Sequence, residues 1–302
     1  DAAAVDRAVV LAGGARGCDV VFHSGALSSP WGTRAQFERA NVLGTQHVVD
    51  ACVKHKVRRL VHVSTTALHF AKTDKRGVKE SDPLPTSFVN DYARTKHAAE
   101  QIVQQAVAEA GLDAVVVRAR AIIGPGDTTL LPRLLDAARK GRLRQIGNGD
   151  NALDLTWVGN LVDALVLAVD KGAAGDVFTV TNDEPRAIWP LLKEVLQRAG
   201  IPHELKPISA DVVDAFAAVV EGVHRAVPSL GEPSLTRYGA SLLARTQTFD
   251  IEKAKSTLGY RPKVSIDQAM TQTLEHLTKT QEAAASTSVS LRLLFTGFTE
   301  GY

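Results

Sequence analysis

The sequence predicts an α/β fold built on a parallel sheet, with a smaller and mostly helical second lobe. Two observations carry this reading. Through the first 125 positions, short apolar runs alternate with helical stretches of about 12–18 residues, the rhythm of βαβ units. Those runs are largely apolar throughout rather than alternating, as strands covered on both faces should be. Size agrees: 302 residues make roughly two domains at about 150 each.

The elements follow in chain order. Residues 2–16 are Ala-rich, with Val5, Val9 and Val10 at near-helical spacing, and end in the turn-prone Gly13, Gly14 and Gly17. Asp19 to His23 is a short buried strand with Ser24-Gly25-Ala26 as its exit turn. Asn41 to Lys54 is a helix carrying Val42, Val48, Val49 and Val53 on one side, and Leu60 to Ser64 is the next strand. The polar stretch Lys72 to Asn90, with two prolines, reads as a loop. Tyr92 to Ala110 is an amphipathic helix stopped by Gly111, and Ala114 to Val117 is a third strand, closed by Gly124-Pro125-Gly126. Beyond that point helices over 129–140, 159–170, 187–199 and 210–226 are interspersed with short strands near 153–158 and 176–181, one of which is free to return to the main sheet. The division expected is a first domain over 1–125, a second lobe over 126–277, and a linker and tail over 278–302, with 283–290 rich in Ala, Ser and Thr.

Composition narrows the function. An apolar share of 45% with 23% charge excludes a disordered chain, a collagen and a disulfide-stapled miniprotein. Basic and acidic residues, 35 against 33, leave a net charge of +2, so nothing recommends a nucleic-acid partner. No stretch approaches the roughly 18 uninterrupted apolar residues of a membrane span. Two cysteines, Cys18 and Cys52, fit neither a disulfide framework nor a four-ligand zinc site, and a reducing cytoplasmic setting is expected. The nine histidines include no pair at metal-ligand spacing backed by Cys or carboxylates, so no metal is expected.

The sharpest chemical pattern is Tyr92-Ala93-Arg94-Thr95-Lys96 at the start of the long helix. Four residues apart on a helix, the Tyr92 and Lys96 side chains are neighbours on one face. A phenol, with a pKa of about 10, is a poor base at neutral pH. A nearby ammonium favours the phenolate. Tyrosine and lysine fall four apart on surface helices by chance as well. The pattern gains weight from Ser64-Thr65-Thr66, at the carboxyl end of a strand, where ligands of open α/β sheets bind. A hydroxyl there would hold a substrate oxygen while the tyrosine moves the proton.

Taken together these residues resemble the extended short-chain dehydrogenase/reductases, the group that includes sugar-nucleotide epimerases and 3β-hydroxysteroid dehydrogenases. Phe22 to Ala26 resembles the family's fourth-strand turn, Asn41-Val42-Leu43-Gly44-Thr45 its helix signature, and Leu60 to Thr66 its fifth strand. Arg118 followed by Ile123 to Asp127 resembles the crossing into the substrate lobe, although Ala119 stands where proline is usual. Asp154 to Asn160, and Asp250 to Ala254 with Leu258 to Pro262, complete a series spanning about residues 1–277. The resemblance implies a Rossmann-like, doubly wound parallel sheet and NAD or NADP as cofactor. It makes Tyr92 the general acid/base, Lys96 its activator and a ribose ligand, and Thr66 the catalytic hydroxyl. Ser24, Gly25, Ala26, Asn41 and Ser64 join Tyr92 and Lys96 on the cofactor side. A homodimer is also implied.

Ser29 to Gly32, Gly124 to Arg133 and Asp154 to Asn160 lean towards the 3β-hydroxysteroid dehydrogenase and 3-keto-acid reductase branch. The substrate expected is then a hydrophobic secondary alcohol or ketone, with the helix over 210–226 either walling its pocket or packing as ordinary core. A sugar-nucleotide epimerase or dehydratase is the rival on the same scaffold. An inactive fragment or non-catalytic binding protein is the rival of another class.

That last rival has a specific source. A dinucleotide-binding fold needs a Gly-rich turn after its first strand to hold the pyrophosphate. Gly13-Gly14-Ala15-Arg16-Gly17 follows a helix and precedes a strand, so it is a connection instead. The chain opens at Asp1 and its only methionine is Met270. The expectation is a chain lacking the first three strands and two helices of the sheet, and with them the residue that selects NAD or NADP. Ser290 to Tyr302 resembles an opening strand and Gly turn, and reads as non-native sequence, an ordinary tail, or a displaced first strand.

Overall fold

The computed structural model describes residues 1–280, so the linker over 283–290 and the tail over 290–302 lie outside the described residues. α1 (Ala2–Gly13) begins where the Asp1 side chain accepts from the amides of Ala3 and Ala4. A 3-10 turn, Gly14–Arg16, leads into β1 (Val20–His23), so the glycine run joins a helix to a strand. A Cβ on Gly13 would sit 2.3 Å from the Cys18 amide nitrogen, which reserves this return for glycine.

The next helix starts before Asn41. Thr33 and Gln36 form a capping box ahead of α2 (Arg34–Phe37), and a π-helical turn, Glu38–Leu43, carries the chain on into α3 (Gly44–Lys54). β2 (Arg59–Thr65) runs into a 3-10 turn, Thr66–His69. Inside the stretch expected to be loop, β3 (Lys75–Val78) forms and pairs in parallel with a strand about 170 residues further on. Its Lys-Arg-Gly sequence has no apolar alternation, so only the distant partner reveals it. α4 (Asp91–Ala110) is capped by Asn90, which accepts from the Ala93 amide at 2.9 Å, and ends at Gly111 with φ of 65°. β4 (Ala114–Ala119) follows.

The elements then shorten. β5 (Ile122–Ile123), α5 (Leu131–Arg139), β6 (Gln145–Ile146), β7 (Ala152–Leu153) and β8 (Thr156–Trp157) precede α6 (Val158–Asp170) and β9 (Val177–Val180). After β10 (Arg186–Ala187), α7 (Ile188–Arg198) and β11 (Pro207–Ile208) come α8 (Ala210–Ala226), α9 (Arg237–Ala244), β12 (Gln247–Phe249) and a helix over 266–280. The strand expected over 153–158 is thus two short strands, which join different sheets.

The main sheet has the order β1-β2-β4-β9, and every pair in it is parallel. β9 is therefore the strand that returns from beyond residue 125. α6 packs on one face, where Leu161, Ala164 and Ala168 meet Val61, Val115, Val117 and Phe178. On the other face Leu60, Ala114 and Val116 meet Val49 of α3 and Val103 of α4. Successive residues of each strand serve opposite layers, so the strands have to be apolar throughout. A separate core around Trp157, Trp189, Leu192, Val195 and Ile266 belongs to the second lobe.

Among the described residues no helix is long and apolar enough to cross a membrane, and no three His, Cys, Asp or Glu gather to hold a metal. Cys18 and Cys52 are free thiols.

One polar contact fixes α4 against the sheet. Arg118 of β4 donates from Nε and Nη2 to the two carboxylate oxygens of Glu100 at 3.0 and 2.7 Å, with the side chains only 7% and 5% exposed. Breaking a buried pair on one side strands the other charge. Arg118→Met is therefore expected to lower stability by about 3–5 kcal/mol in urea unfolding. A loss no larger than that of an exposed ion pair, below about 1 kcal/mol, would show that the pair does not lock the helix.

Candidate active site

The site grows out of one stripe of α4. Tyr92, Lys96 and Glu100 follow at four-residue intervals and share a face. Glu100 is held by Arg118 of β4, and Lys96 Nζ donates to the Val63 carbonyl of β2 at 2.7 Å. Two anchors on successive turns leave α4 no freedom to slide. Tyr92 lies one further turn along, about 6 Å at 1.5 Å per residue, and so projects past the strand ends. It is half-buried, and its hydroxyl makes no hydrogen bond among the described residues.

The hydroxyl cluster sits at those strand ends. Ser64 pairs in register with Arg118, and Thr65 with Ala119. Thr65 Oγ1 accepts from the Ala67 amide at 3.1 Å and caps the 3-10 turn. The middle hydroxyl thus spends one lone pair on the main chain. Ser64 Oγ is buried without a partner. Thr66 is also buried, and its hydroxyl has only a long contact of 3.5 Å to the Ala119 carbonyl.

Asn41 lies in the π-helical turn, a geometry that often marks functional positions. Its Oδ1 accepts from the Leu27 amide at 2.7 Å and its Nδ2 donates to Thr95 Oγ1 at 3.0 Å. It therefore joins the loop after β1 to the helix that carries Tyr92 and Lys96. Ser24, Gly25 and Ala26 form the start of that loop and are exposed. Of the expected site residues, Ser64 and Thr66 lie at the carboxyl end of β2, Lys96 bonds that strand at Val63, Tyr92 lies one turn further along α4, and Asn41 ties α4 to the loop after β1. The three loop residues follow the carboxyl end of the neighbouring β1.

Several groups here escape sequence reasoning. His62, within β2, is fully buried with neither ring nitrogen bonded, 5.1 Å from the His23 ring. Burial, reinforced by Lys96, pushes His62 well below the usual imidazole value and His23 down to about 4. Both are therefore neutral near pH 7. Arg120, one residue past β4, is 3% exposed and lies over the Phe249 ring at 5.8 Å. Tyr238 of α9 packs edge-on against Phe70 at 5.3 Å and is within electrostatic reach of both Tyr92 and Arg120. No local pattern joins positions 62, 120 and 238, because each lies on a different element. On α8, Val213 is buried, whereas Val212, Phe216, Val219 and Val223 remain exposed. The end of α8 meets the loop after β1, where Arg225 stands over the Trp31 ring at 5.7 Å. A cavity of about 1030 Å³ lined by Leu27, Trp31, Arg39, Leu43 and His47 is not lined by Tyr92, Lys96 or Thr66.

Residues 4–208 match the 3-beta hydroxysteroid dehydrogenase/isomerase family. The chain belongs to this family. It is 37% identical over 261 residues to 2-alkyl-3-oxoalkanoate reductase of Stenotrophomonas maltophilia (strain K279a), covering 84% of this chain and 79% of that protein. It is 38% identical over 258 residues to a 4-hydroxy-2-methyl-3-oxo-4-farnesyl-3,4-dihydroquinoline-1-oxide ketoreductase of Stigmatella aurantiaca, covering 85% and 77%. Among solved structures, UDP-glucose 4-epimerase of Thermotoga maritima superposes with a TM-score of 0.70 at 22% identity, covering 93% of this chain and 82% of that one. At that identity the likeness shows the fold alone, a Rossmann-like sheet with a second lobe.

Burial pushes Lys96 down to about 8, with Glu100 pulling it back up. A lysine depressed in the folded state penalises folding below about pH 8, and the penalty is relieved as pH rises from there towards 10.5. Denaturant midpoints measured from pH 7 to 10.5 are therefore expected to rise for the wild type relative to Lys96→Met. Parallel curves for the two proteins would show that this ammonium is not buried.

Proposed function

We propose that this chain is an NAD- or NADP-dependent oxidoreductase that interconverts a secondary alcohol and a ketone on a hydrophobic substrate. The substrate class is the 3-hydroxy or 3-oxo acids and the 3β-hydroxysteroids. The observation that carries the reading is the α4 stripe, which leaves the Tyr92 hydroxyl uncommitted while Lys96, one turn behind it, is pinned to the strand that ends in Ser64 and Thr65. Relatives named as a 3-oxoalkanoate reductase and a ketoreductase support the same direction of chemistry.

The residues present fit a nicotinamide riboside. Ser64 Oγ is buried without a partner, Lys96 has two ammonium protons beyond the one given to Val63, and Ser24-Gly25-Ala26 is an open turn. Lys96 and Tyr92 would hold the ribose, and Ser64 with the turn would flank the ring. When bound, the cofactor supplies or accepts the hydride.

The chain's own residues manage the proton. Thr66 donates a hydrogen bond to the substrate oxygen and orients it towards Tyr92. In reduction the Tyr92 hydroxyl gives its proton to that oxygen as the carbonyl becomes an alcohol. In oxidation the phenolate takes the proton back. Lys96 lies one turn from the phenol and stabilises its anionic form. Asn41 keeps the loop after β1 and the α4 turn in fixed relation, so donor and acceptor stay aligned. His23 and His62, being neutral, add no competing positive charge.

The reading extends to the setting: a cytosolic protein acting as a pair of chains. Free thiols support the first part, and the groove between α3 and α4, where Val53 is exposed beside Ile102 and Ala106, would seat a second copy.

Tyr92→Phe removes only the transferable proton. It is expected to lower kcat by about 10²–10⁴-fold with the fold intact by circular dichroism. A variant as active as the wild type would remove Tyr92 from the mechanism. For substrate class, a 2-alkyl-3-oxoalkanoate and UDP-glucose are compared in the presence of NADH and of NADPH. Reduction of the oxo acid is expected, and turnover of the nucleotide sugar alone would overturn the reading.

A further inference from the structure

We propose that Arg120 anchors a carboxylate of the substrate beside the reacting ketone, so that the chain is built for 3-oxo or 3-hydroxy acids rather than neutral ketones. This rests on the oxidoreductase reading above and deepens it.

Three arginines are buried among the described residues: Arg59, Arg118 and Arg120. The first two have partners. Arg59 binds both oxygens of Asp113 at 2.8 and 2.9 Å and the carbonyls of Ala168 and Lys171. Arg118 holds Glu100, and its Nη1 lies 3.0 Å from His69 Nε2. Arg120 is the most buried of the three, yet its guanidinium has no hydrogen bond and no ion pair among the described residues. Its one close partner is the face of Phe249. An unpaired buried guanidinium is costly, and a carboxylate matches its planar fork through two parallel hydrogen bonds.

Position specifies which carboxylate. Arg120 follows Ala119, whose carbonyl contacts the Thr66 hydroxyl. Its own carbonyl is held by Thr156 Oγ1, which fixes the backbone at the crossing into the second lobe. Tyr238 is within electrostatic reach of Arg120 and of Tyr92. In a 3-oxo acid the ketone and carboxylate are separated by a single carbon. An anchor for the acid must therefore stand beside the group that orients the ketone.

Asp154 is the one carboxylate within electrostatic reach of the anchor, and it does not occupy the guanidinium's fork. Asp154 accepts from the Phe249 amide through Oδ2 at 2.7 Å, leaves Oδ1 unbonded, and forms no ion pair with Arg120. Burial pushes Asp154 up to about 6, and an incoming carboxylate would favour its protonation further. Burial likewise pushes Tyr238 up to about 12, so it stays a neutral phenol.

The test pairs acids with their methyl esters. The wild type is expected to reduce 3-oxodecanoate with kcat/KM at least tenfold above that for methyl 3-oxodecanoate, and Arg120→Met to erase this preference. Decanoate, which cannot be reduced, is expected to bind wild type at least tenfold tighter than methyl decanoate by tryptophan fluorescence. Arg120→Lys keeps the charge but not the fork and should show an intermediate ratio. It also serves where Arg120→Met fails to fold. Equal handling of acid and ester by the wild type, or a preference that survives Arg120→Met, overturns the proposal and leaves the oxidoreductase reading standing. If neither oxo compound is reduced, that reading falls, and the decanoate titration still decides the anion site.

Discussion

The bidentate contact between Arg118 and Glu100 positions everything at the carboxyl end of the sheet. As a source of stability it is unremarkable, since withdrawing two charges from water costs several kcal/mol and apolar side chains could fill the same space. Its value is directional. A fork of two parallel hydrogen bonds accepts one register, whereas an apolar contact tolerates sliding. A slip of α4 by one turn, about 5.4 Å, would take Glu100 off Arg118 and Lys96 off the Val63 carbonyl together. Tyr92 has no anchor of its own, and it owes its place to these two.

The second lobe is fixed differently, by neutral groups. Asn160 donates to Asn182 Oδ1 at 3.0 Å and to the Val264 carbonyl at 2.8 Å, and accepts from the amides of Lys263 and Val264. Fully buried Tyr260 donates to the Thr181 carbonyl at 2.9 Å. These bonds stitch the segment after β12 back onto the end of β9. The residues around Asn160 and Tyr260 that mark the family in the sequence are therefore framework, and their chemistry is that of satisfied amides.

How much of this was legible depended on distance along the chain. The strands of the main sheet announce themselves because burial on both faces demands unbroken apolar runs, as in Ala114 to Val117. Tyr92 and Lys96 are legible because one helix fixes their relation. Ser64 to Thr66 is legible because a strand end is a place ligands reach. β3 is not, since Lys75 and Arg76 lie there by virtue of a partner near Gln247. The early start of α2 is hidden because Arg34 to Ala40 has only Phe37 as a large apolar residue. The grouping of Arg120, Tyr238 and Phe249 is illegible for the same reason as β3. Three segments more than a hundred residues apart at the extremes meet only after the second lobe has folded back.

The two ends of β2 and β4 show where folding stops dictating the sequence. At the amino end, both Nη groups of Arg59 are engaged by Asp113 and by main-chain carbonyls, and only its Nε is buried without a partner. At the carboxyl end, the Ser64 hydroxyl and Arg120 Nε are buried without partners, as is Asp154 Oδ1, and both ring nitrogens of His62 are unpaired in the middle of β2. Each such atom costs about 1–3 kcal/mol relative to a bonded one. A sequence shaped for stability alone would place valine or leucine there, as it does at Leu60 and Val116 in the same two strands. That His62, Ser64 and Arg120 stay buried and unpaired beside such apolar neighbours is difficult to account for by packing. The proposed cofactor and substrate would supply the missing partners of Ser64 and Arg120.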